Sequence, residues 1–395
     1  HCTAEFFAAN MTVEADNTDK LGVLLADAKL FGITFDPPDI NRGTARFEPV
    51  DDQRVRYGLA AVKGSGTGAV EAIVAARDGT AGHEGQGSGP FRSLFDFCAR
   101  VDRQRVNKRA VEALVKAGAF DALHPDRAAA LASVGLAFDW ADTQAAHVSQ
   151  AGLFDFGDAS DNHGSSTQEP ALVQVPPWTL HEKLMQEKGA IGYCLSGHLF
   201  DAWAPEVRRF ARRAIADLVD SREPQLLAGI VTDARTVNGQ RGRVVIFKLD
   251  DGSESVESVV SEELIESNRE LLVEDQLIVV QGKLQPDRFS GGLRLNVNAV
   301  WDLAGARARF GRYLAVDING GLPPVAEVLR LWPARKVPGE HGPLTQGLAV
   351  RLRLHRATAT ADLDLGDDAR FWPSDEALGR WRGIAHQGAV AVVYE

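Results

Sequence analysis

Paired carboxylates are the first residues in this chain whose type and spacing suggest a reaction. In "ADLDLGDDA" (361–369), Asp362 and Asp364 stand two apart, so on a strand both face one side. Carboxylates held that way can grip the metal pair of a phosphoryl transfer. The same letters also describe an exposed strand end running into an acidic turn, and no basic cradle for a phosphate accompanies them. Catalysis is therefore not assigned to them. "HEKLM" (181–185) opens like a zinc-binding helix, but Met185 stands where the second histidine is needed. No Ser/His/Asp set and no activated cysteine is identifiable elsewhere. Neither a catalytic residue, a metal site nor a cofactor is expected in this chain.

Binding groups are more plentiful. "KGSGTG" comprises Lys63, Gly64, Ser65, Gly66, Thr67 and Gly68. It is no dinucleotide fingerprint, because its glycines are evenly spaced, Ala69 follows, and a helical pattern precedes it. It does suit a hairpin between two helices. Glycines there let the backbone approach a phosphate, the next helix's first amides point at the anion, and Lys63 and Thr67 add donors. A tight turn that binds nothing fits the same residues. "RVDRQRVNKRAVEALVKAG" (100–118) then offers Arg100, Arg103, Arg105, Lys108, Arg109 and Lys116 against Asp102 and Glu112, mostly at a helix start. A solvated helix face is the alternative there.

Further on, Arg235, Arg241, Arg243, Phe247, Lys248, Arg288 and Phe289 lie on or near β-rich runs. Aromatic side chains interleaved with basic ones suit single-stranded nucleic acid, at about 1–3 kcal/mol per stacked base. Phe247 alternates with Val245 and Leu249, which also fits a core position. The stretch "DDGSESVESVVSEELIE" (250–266) is acidic and repels phosphate on one side. Finally, "SQAGLFDFGDAS" (149–160) sets Leu153, Phe154 and Phe156 at the edge of a polar run too poor in apolar residues to fold alone. Large apolar side chains in such a place need an external reason.

The elements that position these groups follow from periodicity. "NTDKLGVLLADAKLFG" (17–32) reads as a helix with Asn17 as N-cap and Gly32 as stop, and "ARFEPVDDQRVRYGL" as a short hairpin. Residues 56–77 read as two helices about the glycine hairpin. Helical patterns return in "FRSLFDFCARV", in 107–118 with Asn107 capping and Gly118 terminating, over about 125–146, and after "PWTL". From Leu226 to Leu303 the period changes to that of strands: five β-rich runs with a helical insert after the third, the pattern of an OB-type Greek-key barrel. Residues 304–395 read as a last α/β unit. The fold class expected is multidomain α+β.

Composition bounds the rest. The 395 residues suffice for two or three domains, and 45% hydrophobic with 25% charged residues is ordinary for globular protein. A net charge of −11 rules out a basic footprint over the whole molecule, so nucleic-acid contact has to come from local patches. Three distant cysteines, Cys2, Cys98 and Cys194, form no metal spacing and no disulfide framework, so a reducing cytoplasm is the expectation. No apolar run reaches membrane-spanning length. The chain opens on "HCTAEFFAANM", without an initiator Met, and is expected to be a piece of something longer.

The order of these modules, with "PPDIN", "GLAAVKGSGTGAVEAI", "LFDFCARVD", "NKRAVEALVKAGAFDAL", "EKGAIGYCLSGH" and "FSGGLRLNVNAVWDLAGARARFGRYL", resembles the C-terminal part of the C-family replicative polymerases, the bacterial DNA polymerase III alpha subunits. The resemblance covers almost the whole chain. It implies the end of a fingers domain over 1–50 and a tandem helix-hairpin-helix, clamp-binding region over 51–220, with a flexible linker at about 155–175. An OB-fold domain over 221–303 and a domain meeting the tau subunit of the clamp loader over 304–395 would follow. The parent's palm, its catalytic aspartates and its Mg²⁺ would lie outside this sequence, so these residues alone are expected to be inactive. Primer-template DNA is the implied substrate, with Lys63, the 64–68 hairpin, Arg103, Arg105, Lys108 and Arg109 on duplex phosphates. Arg235, Arg241, Arg243, Phe247, Arg288 and Phe289 are the candidates for single strands. "QAGLF", that is Gln150, Ala151, Gly152, Leu153 and Phe154, is similar to the family's internal motif for the beta sliding clamp, with Ala151 where Leu is frequent. That likeness supplies the external reason for the apolar cluster. A stand-alone repair module is the alternative, since hairpin and OB units also occur together in DNA ligases; the adenylated-lysine motif and four-cysteine zinc site of such a ligase are absent.

Overall fold

The computed structural model describes residues 2–80, 88–154, 168–221, 223–239, 242–287, 291–319, 325–337, 343–356 and 358–394. Packing divides the chain into two units, residues 1–199 and 200–395.

In the first unit, helices α1 (Thr3–Val13) and α2 (Thr18–Leu30) precede a small sheet of β1 (Thr34–Asp36), β2 (Glu48–Asp51) and β3 (Arg54–Arg56). Strand β3 lies between the others, parallel to β1 and antiparallel to β2. Asn17 caps α2 by accepting the Lys20 amide at 3.1 Å, and Gly32 ends it at φ +78°. Then come α3 (Thr67–Asp78), α4 (Leu94–Arg100), α5 (Lys108–Lys116), α6 (Arg127–Phe154) and α7 (Leu180–Ile191). Ser93 and Asn107 cap α4 and α5 through the Asp96 and Ala110 amides, at 2.9 and 3.0 Å. One apolar core running from Ala4 to Ile191 holds all of this together. At its centre the rings of Phe91, Phe97 and Phe120 meet edge to face at 4.9 and 5.0 Å, a favoured aromatic geometry.

Two elements differ from the sequence reading. Ahead of the glycine hairpin there is a single 3-10 turn, Leu59–Ala61, where a full helix was expected. Strand β3 consumes the residues before it, and Gly58 is pressed so close to the 45–47 backbone that a Cβ would sit 2.7 Å from the Arg46 carbonyl carbon. The α6 backbone continues to Phe154, beyond the expected end near 146. No proline interrupts this alanine-rich run, so helix propensity carries it on.

In the second unit, α8 (Ala204–Val207) leads into β4 (Gln225–Gly239), β5 (Gly242–Asp250), β6 (Ser255–Ser261), α9 (Glu262–Asn268), β7 (Leu277–Pro286) and β8 (Leu293–Trp301). The five strands close as a barrel in the order β4-β5-β6-β8-β7, with β6 and β8 parallel and α9 after the third strand, as the periodicity predicts. Leu227, Val231, Phe247, Leu249, Ile278 and Leu295 fill it. The terminal part contains α10 (Leu303–Phe310), β9 (Gly311–Asn319), α11 (Val325–Leu331), β10 (Arg335–Val337), β11 (Leu344–Gln346), β12 (Ala349–His355), β13 (Thr360–Asp364), α12 (Asp375–Ile384) and β14 (Val390–Tyr394). Its sheet runs β13-β12-β9-β14, with Trp381 of α12 fully buried in the core beneath.

Residues 200–220, which the sequence reading joined to the hairpin region, pack within this second unit. Asp251, buried in the turn after β5, accepts from Arg208 Nη2 at 2.5 Å and from the Ile215 amide at 2.9 Å. Glu206 accepts from both Arg307 Nε and Nη2 at 2.7 Å, and Phe210 stacks on Phe310 at 5.5 Å.

Candidate nucleic-acid interface

The glycine hairpin owes its path to two positive φ angles, +85° at Gly64 and +59° at Gly66, which L side chains rarely adopt. A Cβ at either position would meet nothing within 4 Å, so the glycines are required by conformation and the space before them is open. Ser65 turns the other way. It is buried, and its hydroxyl lies 2.7 Å from the carbonyl oxygens of both Leu59 and Val62, between which its single proton is shared. The Ser65 side chain is thus a brace inside the loop and has no outward donor, a correction to its place among the phosphate contacts. Lys63 donates its amide to Ala190 at 2.8 Å, tying the hairpin to the end of α7, while its side chain stays exposed. No side chain caps α3 at Gly66. The first amides of α3 therefore face the open side of the hairpin, where helix geometry leaves them without carbonyl partners.

The second hairpin joins α4 to α5, and its basic residues separate into three kinds. Arg100 is structural: buried, it donates to the carbonyls of Ala76 at 3.0 Å and Gly89 at 2.7 Å and covers the Phe91 ring at 4.6 Å. Arg103 pairs with Asp142 of α6, and Lys108 Nζ lies over Gly135, 3.2 Å from where a Cβ would be. Arg103 is thus engaged on α6, whereas Lys108 is exposed beside it. Arg105 and Arg109 are exposed. Arg105 Nη2 comes within 3.5 Å of the Cβ position of Gly68 and 3.4 Å of Glu71 Oε2. The second hairpin's guanidinium is thereby brought to the first turn of α3, beside the uncapped amides.

On the barrel, Phe247 is 1% exposed and belongs to the interior. Its alternation with Val245 and Leu249 decided its side, and it is withdrawn as a stacking platform. Arg235 stays outside with its Nη2 3.5 Å from Glu257 Oε2, and Arg243 is exposed at the start of β5. Arg241, between β4 and β5, and Arg288 and Phe289, between β7 and β8, lie outside the described residues. Arg294, which the sequence reading passed over, lies outward on β8 and pairs with Glu257 and Asp287. Its alternation with Leu293 and Leu295 was the available signal.

The carboxylate candidates resolve as structure. Asp364 faces Arg351, with Nε–Oδ1 at 2.6 Å and Nη2–Oδ2 at 3.1 Å, and Asp362 faces Arg353 at 3.0 and 3.5 Å. The basic groups that do stand near are taken by the aspartates themselves: β12 supplies one arginine to each in direct register. Those hydrogen bonds and charges hold both carboxyls below their ordinary value. Glu182 of "HEKLM" closes a capping box with Thr179 at the start of α7. Burial pushes the Cys98 thiol up to about 12, far from thiolate chemistry. Among the described residues, no group of three or more His, Cys, Asp or Glu could hold a metal, and no helix is long and apolar enough to cross a membrane.

Gln150, Ala151, Gly152, Leu153 and Phe154 form the last turn of the α6 backbone; their side chains lie outside those described.

Two hairpins on a helical unit, followed by a five-stranded OB barrel and a small α/β sheet, define a multidomain α+β chain of nucleic-acid-binding architecture. Residues 32–130 match the helix-hairpin-helix motif family, and residues 226–303 match the OB-fold nucleic acid binding domain. Over 400 residues the chain is 40% identical to DNA polymerase III subunit alpha of Neisseria meningitidis serogroup B, covering 99% of this chain and 33% of that protein. The same subunit of Escherichia coli (strain K12) is 33% identical over 406 residues, 100% of this chain and 33% of its own length. That of Pseudomonas aeruginosa is 35% identical over 400 residues, 96% of this chain and 32% of its own. The chain belongs to the DNA polymerase III alpha subunit family and spans about a third of the length of the curated relatives it matches.

Proposed function

We propose that this chain is the DNA-holding and processivity portion of a cytoplasmic replicative polymerase, the C-terminal part of an alpha subunit whose palm, with Mg²⁺, performs template-directed synthesis. The hairpins grip the duplex through its phosphates: Lys63, Thr67, the amides of Gly64, Gly66, Thr67 and Gly68, Arg105 and Arg109, with Arg103 and Lys108 at the margin. Gln150–Phe154 engages the beta sliding clamp, and residues 304–395 meet the tau subunit of the clamp loader. The barrel holds single-stranded template through Arg235, Arg243 and the two loops carrying Arg241, Arg288 and Phe289. The palm lies outside the part of the alpha subunit that this chain matches, so the chain alone incorporates no nucleotide.

The observation that carries the duplex reading is the approach of Arg105 to Gly68. Two hairpins far apart in sequence present a cation and uncapped helix amides to one open spot, the combination that binds phosphate. Such groups position a duplex without reading its bases. The test is anisotropy of labelled primer-template at several salt concentrations, with Arg105→Ala and Arg109→Ala together. Binding should weaken for every sequence alike, and the logarithmic salt slope should fall by about 0.9 for each phosphate no longer neutralised. An unchanged slope in the double variant would remove the hairpins from the duplex interface.

A further inference from the structure

Glu257 stands on the outer face of the barrel amid three cations from three other strands. Its Oε1 accepts from Arg294 Nη2 at 2.5 Å and Nε at 2.8 Å, while Oε2 lies 3.5 Å from Arg235 Nη2. Strand register sets it opposite Lys248 on β5 and Arg294 on β8. Two of these cations also meet a second carboxylate: Lys248 reaches Asp233 at 2.7 Å, and Arg294 reaches Asp287 at 3.1 Å. Arg235 is aimed here by a break in the β4 register between Thr232 and Arg235, where Asp233 takes φ +52°. A bulge of this kind redirects a side chain and costs conformational strain at a non-glycine residue. Asp233, Arg235, Lys248 and Glu257 line a groove of about 460 Å³ open to solvent.

A carboxylate between two guanidiniums occupies the place that suits a phosphate, since both anions accept paired N–H donors. We propose that Arg235, Lys248 and Arg294 form a phosphate-binding site for single-stranded nucleic acid, which Glu257 fills in the unbound protein as an internal competitor. The proposal rests on the reading of the barrel as a single-strand holder, and it explains how an acidic strand can serve that role. Ion pairs at a solvated surface are weak, so a strand that brings several phosphates and releases counterions can displace one carboxylate. Glu257 then sets the threshold: weak or short polyanions are refused, and a longer strand is accepted.

The test uses the whole chain and a labelled thymidine oligonucleotide of about 16 nucleotides. Glu257→Gln keeps the shape and removes the charge. It should tighten binding about fivefold and steepen the salt slope by about 0.7 for each additional phosphate neutralised. Adding Arg235→Ala and Arg294→Ala to it should erase the gain. A thermal melt of Glu257→Gln, with Glu257→Ser as a second variant, guards against a folding defect. Binding that stays equal or weakens in both variants, while Arg241→Ala with Arg288→Ala lowers the affinity of the wild type, overturns the competitor and leaves the barrel reading intact. If neither the wild type nor Glu257→Gln binds the oligonucleotide, the proposal and the reading beneath it both fall.

Discussion

Arg127 and Glu187 are 60 residues apart in sequence and meet in the buried interior of the first unit, Nη1 to Oε2 at 3.0 Å. Arg127 also grips Asp121 with two bonds of 2.7 Å and donates to the Lys116 carbonyl at 3.0 Å. Glu187 accepts the amides of Leu195 and Ser196 and the Ser196 hydroxyl, at 2.5, 2.7 and 2.7 Å. One arginine at the root of α6 thereby joins the end of α5, α7 and the loop after α7. Removing one partner of a buried pair strands the other charge, at about 3–5 kcal/mol. Arg127→Ala is therefore expected to lower the stability of the first unit by that amount in urea unfolding, and a change below about 1 kcal/mol would contradict the pair's importance.

Glu206 gives the second unit an acid dependence. Burial raises its carboxyl, but hydrogen bonds and charge from Arg307, with a bond from the Tyr394 hydroxyl, outweigh that and hold it below its ordinary value of 4.5. A carboxyl depressed in the folded state contributes stability above its unfolded value and loses it as pH falls through the folded one. Thermal unfolding between pH 6 and pH 3, about the range set by ordinary carboxyls, should show the second unit weakening below about 4.5. In Glu206→Gln that loss should be smaller and the stability near neutrality lower. An identical acid limb in both proteins would assign the loss to other carboxyls.

Asp362 and Asp364 are expected to leave Mg²⁺ alone. Each carboxylate is already satisfied by an arginine of β12, and Arg351 lies 4.1 Å from the centre of the Tyr313 ring. Calorimetric titration of the chain with Mg²⁺ should give no heat that disappears on changing both residues to Asn. Because exposed pairs of this kind contribute little, the double variant should melt within about 1 kcal/mol of the wild type.

These cases mark what was legible in the sequence. Caps and stops such as Asn17, Asn107 and Gly118 act on amides within a few residues, and the barrel's five strands and inserted helix follow from local period and turn chemistry. The hairpin glycines were legible for the same reason, since φ is a property of one residue. The roles of Ser65, Arg100 and Arg103 were not, because the partner decides them. Arg103 is matched by Asp142, 39 residues on, and Arg307 by Glu206, 101 residues back. A basic letter predicts a cation without telling whether another part of the chain has already claimed it.

The clamp peptide brings the two levels together. If Leu153 and Phe154 fill an apolar pocket on a separate ring, each is a hot spot, and truncating either to Ala should weaken clamp binding about 30-fold. The backbone of Gln150–Phe154 is the last turn of α6, whose root is held by Arg127. A peptide that docks extended has to unwind that turn first, and the free energy of unwinding subtracts from its affinity. Gly152 eases this step, because glycine in a helix is about 1 kcal/mol less favourable than alanine. Gly152→Ala adds no bulk that an extended peptide cannot carry, yet it should stabilise the turn and weaken clamp binding about fivefold. Titration of the whole chain with purified clamp separates the cases. Tighter binding by Gly152→Ala would mean that the peptide docks as a helix, and unchanged binding by Leu153→Ala with Phe154→Ala would remove this segment from the clamp altogether.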